Sequence, residues 1–342
     1  MPPSQFFRAA AVAVAAAGLL PPVAGAVGPA ELFRPAGPPW FGGGGCDGGG
    51  CDGACDLTAP HAGRGPGTLF LWPGNEPGDG GPDLGAPLVT DRPDFTEASS
   101  TVGAGVAQLE FGYTYTTDSG DAVRSHSIGE PLLRLGAGAD WLELRVAWNY
   151  AAERSGAGPD RDTADGGEDL YLGLKLALTP QDRWLPETAL IPQMIVPTGA
   201  DAFTAGTVLP GANLVYSWDL TDRLATGGST QVNRVLSGLA PVPVPGTGVN
   251  PGAGPAGDGE TFTELAQSWT VAASVTDRVG AYGEYFGFYP LDESGADDEH
   301  FLNGGLTYLL ADDIQYDVRA GFGLNDAADD FFAGTGLSVR FR

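Results

Sequence analysis

The feature that most constrains this chain is a two-residue alternation of apolar and other side chains, which continues from about residue 107 to the last residue. Between Trp141 and Tyr150, one face carries leucine, valine, tryptophan and tyrosine, and the other carries Glu143 and Arg145. The same pattern recurs over 107–116, 170–179 and 314–325. Because successive side chains of a strand point to opposite faces, the pattern predicts strands with one apolar face each.

Composition excludes several other classes of protein. The 342 residues include 54 glycines and 28 prolines, which disfavour helix interiors and argue against a helical bundle or a Rossmann-type enzyme. The formal net charge of −26 repels phosphate, so we expect no nucleic-acid partner. Aromatic residues make up 10% of the chain, too many for a wholly disordered acidic protein. The folded part is therefore predicted to be all β.

The lengths of the connections decide between two all-β architectures. A soluble sandwich buries its apolar faces, whereas an outer-membrane barrel turns them towards lipid and keeps a polar lumen. About twelve strand-like segments can be counted, although 186–199 and 223–236 alternate poorly and leave ten to fourteen open. Short turns alternate with long polar connections, at 117–123, 152–168, 197–210, 237–260, 290–299 and 325–330. We therefore predict a closed antiparallel transmembrane β-barrel of about 12 strands, in the outer membrane.

Aromatic residues support the membrane barrel. Several of them, including Tyr113, Trp148, Tyr285 and Phe286, lie towards strand ends, where the interfacial girdles of a barrel are expected. The last strand carries an apolar face that ends in the aromatic Phe341. These positions predict outward-facing aromatic belts at both membrane interfaces.

The first residues predict export. Residues 1–26 combine Arg8, a short apolar run and the small-residue pattern Ala24-Gly25-Ala26, which together are typical of a signal peptide. The apolar run is too short to cross a bilayer as a helix, which takes roughly 20 residues. Residues 27–87 are rich in glycine and proline, show no period, and are predicted to form a disordered linker. The barrel domain is assigned to residues 88–342.

All three cysteines, Cys46, Cys51 and Cys55, lie in the predicted linker. Their spacing and the lack of a nearby histidine match no zinc site, and no metal is predicted there. A disulfide between two of them remains open outside the cytoplasm, as do their redox state and role.

A block just before the first strand carries a family resemblance. It reads Asp91-Arg92-Pro93-Asp94-Phe95-Thr96-Glu97 and is followed by Gln108-Leu109-Glu110-Phe111-Gly112-Tyr113. With the closing stretch 334–341, it resembles the MetA-pathway of phenol degradation family over roughly residues 89–342. The resemblance implies an outer-membrane barrel that passes aromatic or other hydrophobic compounds. It brings no catalytic residues, and the cysteine-bearing linker lies outside it.

Charged residues that alternate with apolar ones define a candidate pathway. A basic side chain facing lipid at mid-bilayer would cost roughly 2–4 kcal/mol, so these residues are expected to face the lumen. They are Glu110, Glu143, Arg145, Lys175, Glu264, Glu284, Asp317 and Arg319. Their mixed signs argue against a strongly ion-selective pore. The alternative, equally open, is that cross-strand pairs simply fill a narrow barrel.

The charged block before the first strand suggests a plug. Asp91, Arg92, Asp94 and Glu97 are predicted to fold into the lumen from the periplasmic side, with Arg92 paired to a lumen carboxylate and Pro93 holding the chain extended. The alternative is an exposed lead-in with solvated charges.

Taken together, these features predict a passive channel or transporter for small hydrophobic or aromatic solutes. Expected partners are outer-membrane lipids, the barrel-assembly machinery and the solute itself; no cofactor is expected, and the oligomeric state is open. Catalysis is not expected, because His126 and its neighbours Ser125 and Ser127 would point to opposite faces of a strand.

The alternative function is a non-transporting scaffold or adhesin. It would act through the acidic stretches 160–169 and 292–299, by binding calcium or by bridging lipopolysaccharide. Simple solvation of these loops is the favoured interpretation of their charge.

Overall fold

The computed structural model describes residues 34–35, 66–76, 78–120, 122–156, 161–237, 259–292 and 296–342. The predicted signal peptide and the three cysteines lie outside these residues. The described elements are strands, in the order β1 (Arg34–Pro35), β2 (Phe70–Leu71), β3 (Ala107–Asp118), β4 (Val123–Gly136), β5 (Leu142–Ala147), β6 (Tyr150–Ser155), β7 (Asp162–Gly167), β8 (Leu170–Thr179), β9 (Glu187–Val196), β10 (Leu209–Thr221), β11 (Leu224–Leu236), β12 (Thr261–Ser274), β13 (Val279–Pro290), β14 (Glu299–Ala311), β15 (Ile314–Gly323) and β16 (Phe331–Phe341).

Strands β3 to β16 form one antiparallel sheet that closes on itself, because β3 pairs with both β4 and β16. Strand β4 pairs with β5 along one half and with β6 along the other, so β5 and β6 act as one interrupted transmembrane strand. Strands β7 and β8 pair with β6 and β5 and form a second one. The barrel thus has twelve transmembrane strands, and the predicted fold class is confirmed. The described part of the chain contains no helix long and apolar enough to cross a membrane.

Two details of the predicted strand pattern are wrong. The strand expected over 141–150 breaks at 148–149, between β5 and β6. The connection expected over 152–168 is mostly the hairpin of β6 and β7. Its residues are mostly small or charged and give no apolar face with a two-residue period, so alternation could not reveal this hairpin.

The two faces of the barrel differ as the alternation predicts. On β15, Asp317 and Arg319 are buried, whereas Tyr316 and Val318 are 43% and 37% exposed. Similar apolar residues are exposed around the outside of the barrel, from Phe111 on β3 to Leu306 on β14. An apolar exterior of this kind around a polar interior is the arrangement that lipid, and not water, stabilises.

The connections divide into two ends. The turn end carries the short connections, such as 312–313 between β14 and β15, and the loop end carries the long ones. At the loop end, the carboxylate of Asp169 accepts hydrogen bonds from the backbone N–H groups of Thr198, Gly199 and Ala205 at 2.9, 2.8 and 2.8 Å. The connection 197–208 is therefore held against the start of β8.

The last part of the predicted disordered linker packs against the turn end, and the prediction is wrong for residues 66–76 and 78–87. Trp72 is buried and its Nε1 donates to the Pro186 oxygen at 3.3 Å. The backbone N–H of Leu69 donates to the Ala177 oxygen at 2.9 Å, next to the pairing of β2 with β1. Buried Leu71 and Trp72 give this stretch the apolar surface that the composition of the whole linker obscures.

Candidate functional site

Residues 88–106, here called the inner segment, enter the barrel at the turn end and return to the same end. The Leu88 N–H donates to the Asp312 oxygen at 2.7 Å, and the Gly105 N–H donates to the Gly136 oxygen at 3.1 Å. Between these anchors most side chains of the segment are buried, with Asp91 and Phe95 at 0% and 1% exposure. The segment therefore lies inside the barrel, where it meets inward-facing side chains around the wall.

The structure places all eight predicted lumen residues on the inner face, and all are buried. Seven of them contact the inner segment, and they are Glu110, Glu143, Arg145, Lys175, Glu284, Asp317 and Arg319. Glu264 lies nearer the loop end, level with Asn233 of β11. Whether these residues line a pathway for a solute stays a prediction.

Asp91 lies in a cluster of three basic side chains. Its Oδ2 is 2.5 Å from Arg145 Nη1 and 3.3 Å from Arg134 Nε, and its Oδ1 is 3.0 Å from Lys175 Nζ. Lys175 is the single lysine of the chain. Burial acts to raise the pKa of Asp91, but the three neighbouring charges outweigh it and hold the pKa well below its usual range. Asp91 is therefore ionised and held from three strands.

Arg92, the next residue of the inner segment, lies against the neighbouring wall strands β4, β3, β16 and β15. Its Nη1 is 2.6 Å from Glu130 Oε2, and its Nε is 3.5 Å from Asp317 Oδ2. Gly112 and Gly336 lie against its guanidinium. A Cβ added at Gly112 would be 2.5 Å from Arg92 Cζ, and a Cβ added at Gly336 would be 2.2 Å from Arg92 Nε. The wall strands β3 and β16 thus need glycine where Arg92 passes. The Arg92–Pro93 peptide bond is cis.

Two wall carboxylates hold the backbone of the inner segment. Glu110 on β3 accepts hydrogen bonds from the N–H groups of Asp91 and Arg92 at 3.0–3.1 Å. Glu284 on β13 accepts from the N–H groups of Phe95 and Thr96, at 2.7 Å each. Bonds from a carboxylate to backbone N–H groups are stronger than neutral ones, so each pair fixes the path of the segment.

The remaining two acids of the predicted plug differ from each other. Glu97 contacts Arg145, and its Oε2 accepts a hydrogen bond from Asn213 Nδ2 at 2.8 Å. Asp94 has no basic neighbour among its described contacts. Loss of water, and then the charge of Glu284, raise the pKa of Asp94 well above its usual range.

An aromatic cluster lines another part of the interior, along β13, β14 and β16. Phe95 stacks on Phe286 with ring centroids 4.7 Å apart and an interplanar angle of 2°, and Phe286 stacks in turn on Phe301 at 4.8 Å. Phe288 and Phe332 complete the cluster. Phe286, predicted to belong to an outer girdle, instead faces inward and is fully buried. Strand β13 carries aromatic residues on both faces, so alternation alone did not show which face of the barrel Phe286 occupies.

Sequence reasoning missed Arg134 and Glu130, both fully or almost fully buried. Arg134 contacts Asp91, Glu110 and Glu143. The cause is a β-bulge, because the register between β3 and β4 shifts opposite Phe111 and Glu130 has a φ of +39°. The inward-facing residues of β4 therefore have odd numbers at 125 and 127 and even numbers from 130 onwards. The Gly129-Glu130-Pro131 sequence was the signal that could have revealed the bulge.

Comparison with known proteins identifies the family of this barrel. Residues 90–341 match the profile of the family described as "Putative MetA-pathway of phenol degradation". The chain belongs to this family. The resemblance found in the sequence is thereby confirmed, and the match covers the inner segment from residue 90 onwards and every strand of the barrel. No curated protein matches the sequence.

Several solved structures are similar to this member of the phenol-degradation family. They include an outer membrane channel from Pseudomonas putida F1, at 14% identity over 73% of this chain and 99% of that chain, with a TM-score of 0.49. The NanC porin is 14% identical over 68% of this chain and 98% of its own, with a TM-score of 0.40. The KdgM porin is 9% identical over 69% and 99%, with a TM-score of 0.39.

The location of this family member follows from its surface. A closed barrel of twelve strands with an exposed apolar exterior and charged residues inside is stable only when lipid surrounds it. The protein is an outer-membrane β-barrel, as the sequence predicted.

Proposed function

We propose that this barrel is an outer-membrane channel through which small hydrophobic or aromatic solutes pass down their concentration gradients. The observation that carries the proposal is the aromatic cluster on the inner face of the barrel, whose interior also holds many buried charged residues. Apolar rings in a water-filled lumen are unfavourable unless something apolar covers them. Phe95 covers them in the closed structure, in a stacked geometry that an aromatic solute can adopt in its place.

The inner segment is proposed to be the plug of this channel. Its contacts reach both sides of the barrel, from Glu110 on β3 to Glu284 on β13. They are hydrogen bonds, ion pairs and ring contacts, so the segment can leave and return without covalent change. Passage of a solute would require its displacement, because its side chains fill the interior between the two walls.

We expect the channel to act without covalent chemistry. The outward-facing His126 binds the hydroxyl of Tyr113 at 2.7 Å, whereas the adjacent Ser125 and Ser127 are buried on the inner face. A serine and a histidine on opposite faces of one strand do not form a nucleophile and its base.

The scaffold alternative receives less support from the acidic loops. Asp169 holds three backbone N–H groups of the connection 197–208. Asp292 contacts Thr263, and its Oδ2 is 3.5 Å from Arg234 Nη1. These two carboxylates stabilise their own loops, which explains part of the loop charge without an external ligand.

A reversible tether of the inner segment tests the proposal. Thr96 Oγ1 and Ser268 Oγ of β12 are 2.6 Å apart, so cysteines at these two positions are close enough to form a disulfide. The pair Thr96→Cys/Ser268→Cys would be made with Cys46, Cys51 and Cys55 replaced by serine. Swelling of proteoliposomes would be followed in phenyl glucoside and in methyl glucoside, and conductance would be followed in a planar bilayer.

We expect the reduced protein to pass phenyl glucoside and the oxidised protein to exclude it. The matched control is Ser119→Cys/Asp330→Cys, which joins two loop-end residues that contact each other and does not touch the inner segment. Oxidation of the control pair should leave the influx unchanged. Equal influx through oxidised and reduced Thr96–Ser268 protein would refute the plug, and no influx or conductance in any form would favour the scaffold alternative.

A further inference from the structure

We propose that Arg134, Arg145 and Lys175, with the apolar residues beyond them, form a binding site for the carboxylate group of a hydrophobic monocarboxylate such as an aromatic acid. In the closed barrel the side chain of Asp91 occupies the carboxylate position of this site. The inference rests on the proposed function, since it names the class of solute for which the lumen is built.

The three basic residues are arranged around one carboxylate. They come from β4, β5 and β8, whereas the carboxylate between them comes from the inner segment. All three basic side chains are fully buried. Strands of the wall hold them in place independently of the segment, so the same three groups remain to receive another carboxylate when Asp91 moves away.

In this cluster the wall alone carries more cations than anions, because Arg134, Arg145 and Lys175 outnumber Glu110 and Glu143. Glu143 and Glu110 both contact Arg134, and Glu143 also lies 3.1 Å from Arg145 Nη1. Glu143 of β5 lies opposite Lys175 of β8 in the strand register. The direct bonds of the Lys175 ammonium among the described residues go to the inner segment, to Asp91 Oδ1 at 3.0 Å and to the Ala98 oxygen at 2.7 Å. Departure of Asp91 therefore leaves an excess of positive charge on this part of the wall, which the carboxylate of a ligand can neutralise.

An apolar surface adjoins this cation cluster on the side of the loop end. The strand directions place Leu132 one inward position beyond Arg134, and Ala147 one beyond Arg145. Tyr171 lies two inward positions beyond Lys175. These three residues pack with Ile195 and Leu209 in one buried cluster.

Gly173 brings the tyrosine ring of that cluster close to the cations. It lies on the inner face between Lys175 and Tyr171, and a Cβ there would be 2.6 Å from the Tyr171 hydroxyl oxygen. The tyrosine therefore folds over Gly173 towards the basic residues. A ligand with a carboxylate at one end and an apolar body at the other fits this order of groups, and an inorganic anion makes use of only half of it.

Binding of three probes to the protein in lipid nanodiscs tests the site. Equilibrium dialysis would compare benzoate with benzyl alcohol, which has the same ring without the charge, and with acetate, which has the charge without the ring. Asp91→Asn removes the carboxylate that competes with benzoate for the three basic residues. The variant should bind benzoate roughly ten-fold more tightly, because the site is then unoccupied for a larger fraction of the time. Lys175→Met added to Asp91→Asn should abolish the gain.

The controls separate a specific site from general opening of the lumen. Asp165→Asn, an exposed residue of β7 away from the inner segment, should leave benzoate affinity unchanged. An equal gain for benzyl alcohol, an equal gain for acetate, or a gain that survives Lys175→Met would each overturn the proposal. Circular dichroism of each variant confirms that the barrel is folded, and the single Lys175→Met variant, expected to weaken benzoate binding, tests the site if Asp91→Asn does not fold.

The proposed function and this inference fail in different ways. Influx of the neutral phenyl glucoside reports on the channel and does not depend on the cation cluster. Normal influx without selective benzoate binding would refute the site alone. Selective benzoate binding without any influx would refute the channel and leave the site.

Discussion

The two walls of the barrel interior hold the same segment by different means. The charged wall consists of Glu110, Arg134, Glu143, Arg145 and Lys175, and it surrounds Asp91 and Glu97 with ion pairs. The aromatic wall consists of Phe286, Phe288, Phe301 and Phe332, and it receives the single ring of Phe95. Removing one member of the charged wall leaves buried charges without partners, whereas removing part of a ring loses only the contacts of that ring. We therefore expect the charged wall to dominate the closed state.

One measurement compares the walls. Ser99 is 5% exposed and its hydroxyl donates to Glu187 at 2.8 Å, inside the barrel. With the three native cysteines replaced by serine, a cysteine at position 99 should react with a membrane-impermeant maleimide only when the inner segment leaves. When closing is faster than labelling, the labelling rate reports the equilibrium fraction of the open form.

The largest effect is expected from Arg145→Met. Arg145 contacts Asp91, Glu97 and Glu143, and its loss leaves all three carboxylates short of a cation. Breaking such a buried network costs about 3 kcal/mol or more, which corresponds to roughly a 100-fold faster labelling of position 99.

Arg154→Met is the matched control for this change. Arg154 is an exposed residue of β6, on the same transmembrane strand, and the variant should label at the reference rate. An Arg145→Met protein that labels as slowly as the control would show that the charged wall does not hold the segment.

The second effect is expected from Phe95→Leu on the aromatic wall. Leucine keeps most of the apolar volume but loses the stacking on Phe286 and the edge contact with Phe288, whose centroid is 5.5 Å away. Loss of aromatic contacts costs about 1 kcal/mol, so labelling should accelerate by less than about ten-fold. The control is Phe331→Leu, which lies on the outer face. A larger effect from Phe95→Leu than from Arg145→Met would reverse the proposed order of the walls.

Acidity should affect the closed state through Asp94, which lies between the walls. Its pKa is raised in the closed structure by loss of water and by the charge of Glu284, with Asp91 adding to the effect. The closed form therefore binds the Asp94 proton more tightly than the open form does. The stabilisation of the closed form by this proton is complete below the ordinary pKa of aspartate, and it is lost as the pH rises through the raised pKa of Asp94 in the closed form.

The labelling rate of position 99, divided by that of the Asp94→Asn variant at each pH, should consequently increase from acid to mildly alkaline pH. Dividing by this variant removes the pH dependence of the thiol itself. A ratio that stays constant would mean that Asp94 does not titrate differently in the closed and open forms.

Sequence reasoning succeeded where strands alternate without interruption, and failed where they do not. Asp317 and Arg319 follow a clean alternation on β15, and their inward placement could be read from it. Arg134 could not be read in the same way, because the bulge at Glu130 shifts the parity of β4 in front of it. Phe286 sits among aromatics on both faces of β13, so hydrophobicity did not distinguish lumen from lipid. The ion pairs of Asp91 join residues 43 to 84 positions apart, and only closure of the barrel brings them together.

The smallest effect is expected outside both walls, at the turn end. Asp313 lies 2.7 Å from Arg340 Nε and 2.5 Å from Arg342 Nη2, and Arg340 also donates to the Ala86 oxygen at 2.8 Å, just before the inner segment begins. These pairs are partly exposed, and pairs of that kind contribute about 1 kcal/mol or less, which salt screens. Asp313→Asn should therefore accelerate labelling of position 99 by less than about five-fold at low salt, and not at all at high salt. Asp277→Asn, in a turn that does not touch the segment, should change nothing under either condition. A salt-independent effect of Asp313→Asn would place the turn end in the same class as the charged wall, because only pairs shielded from solvent escape screening.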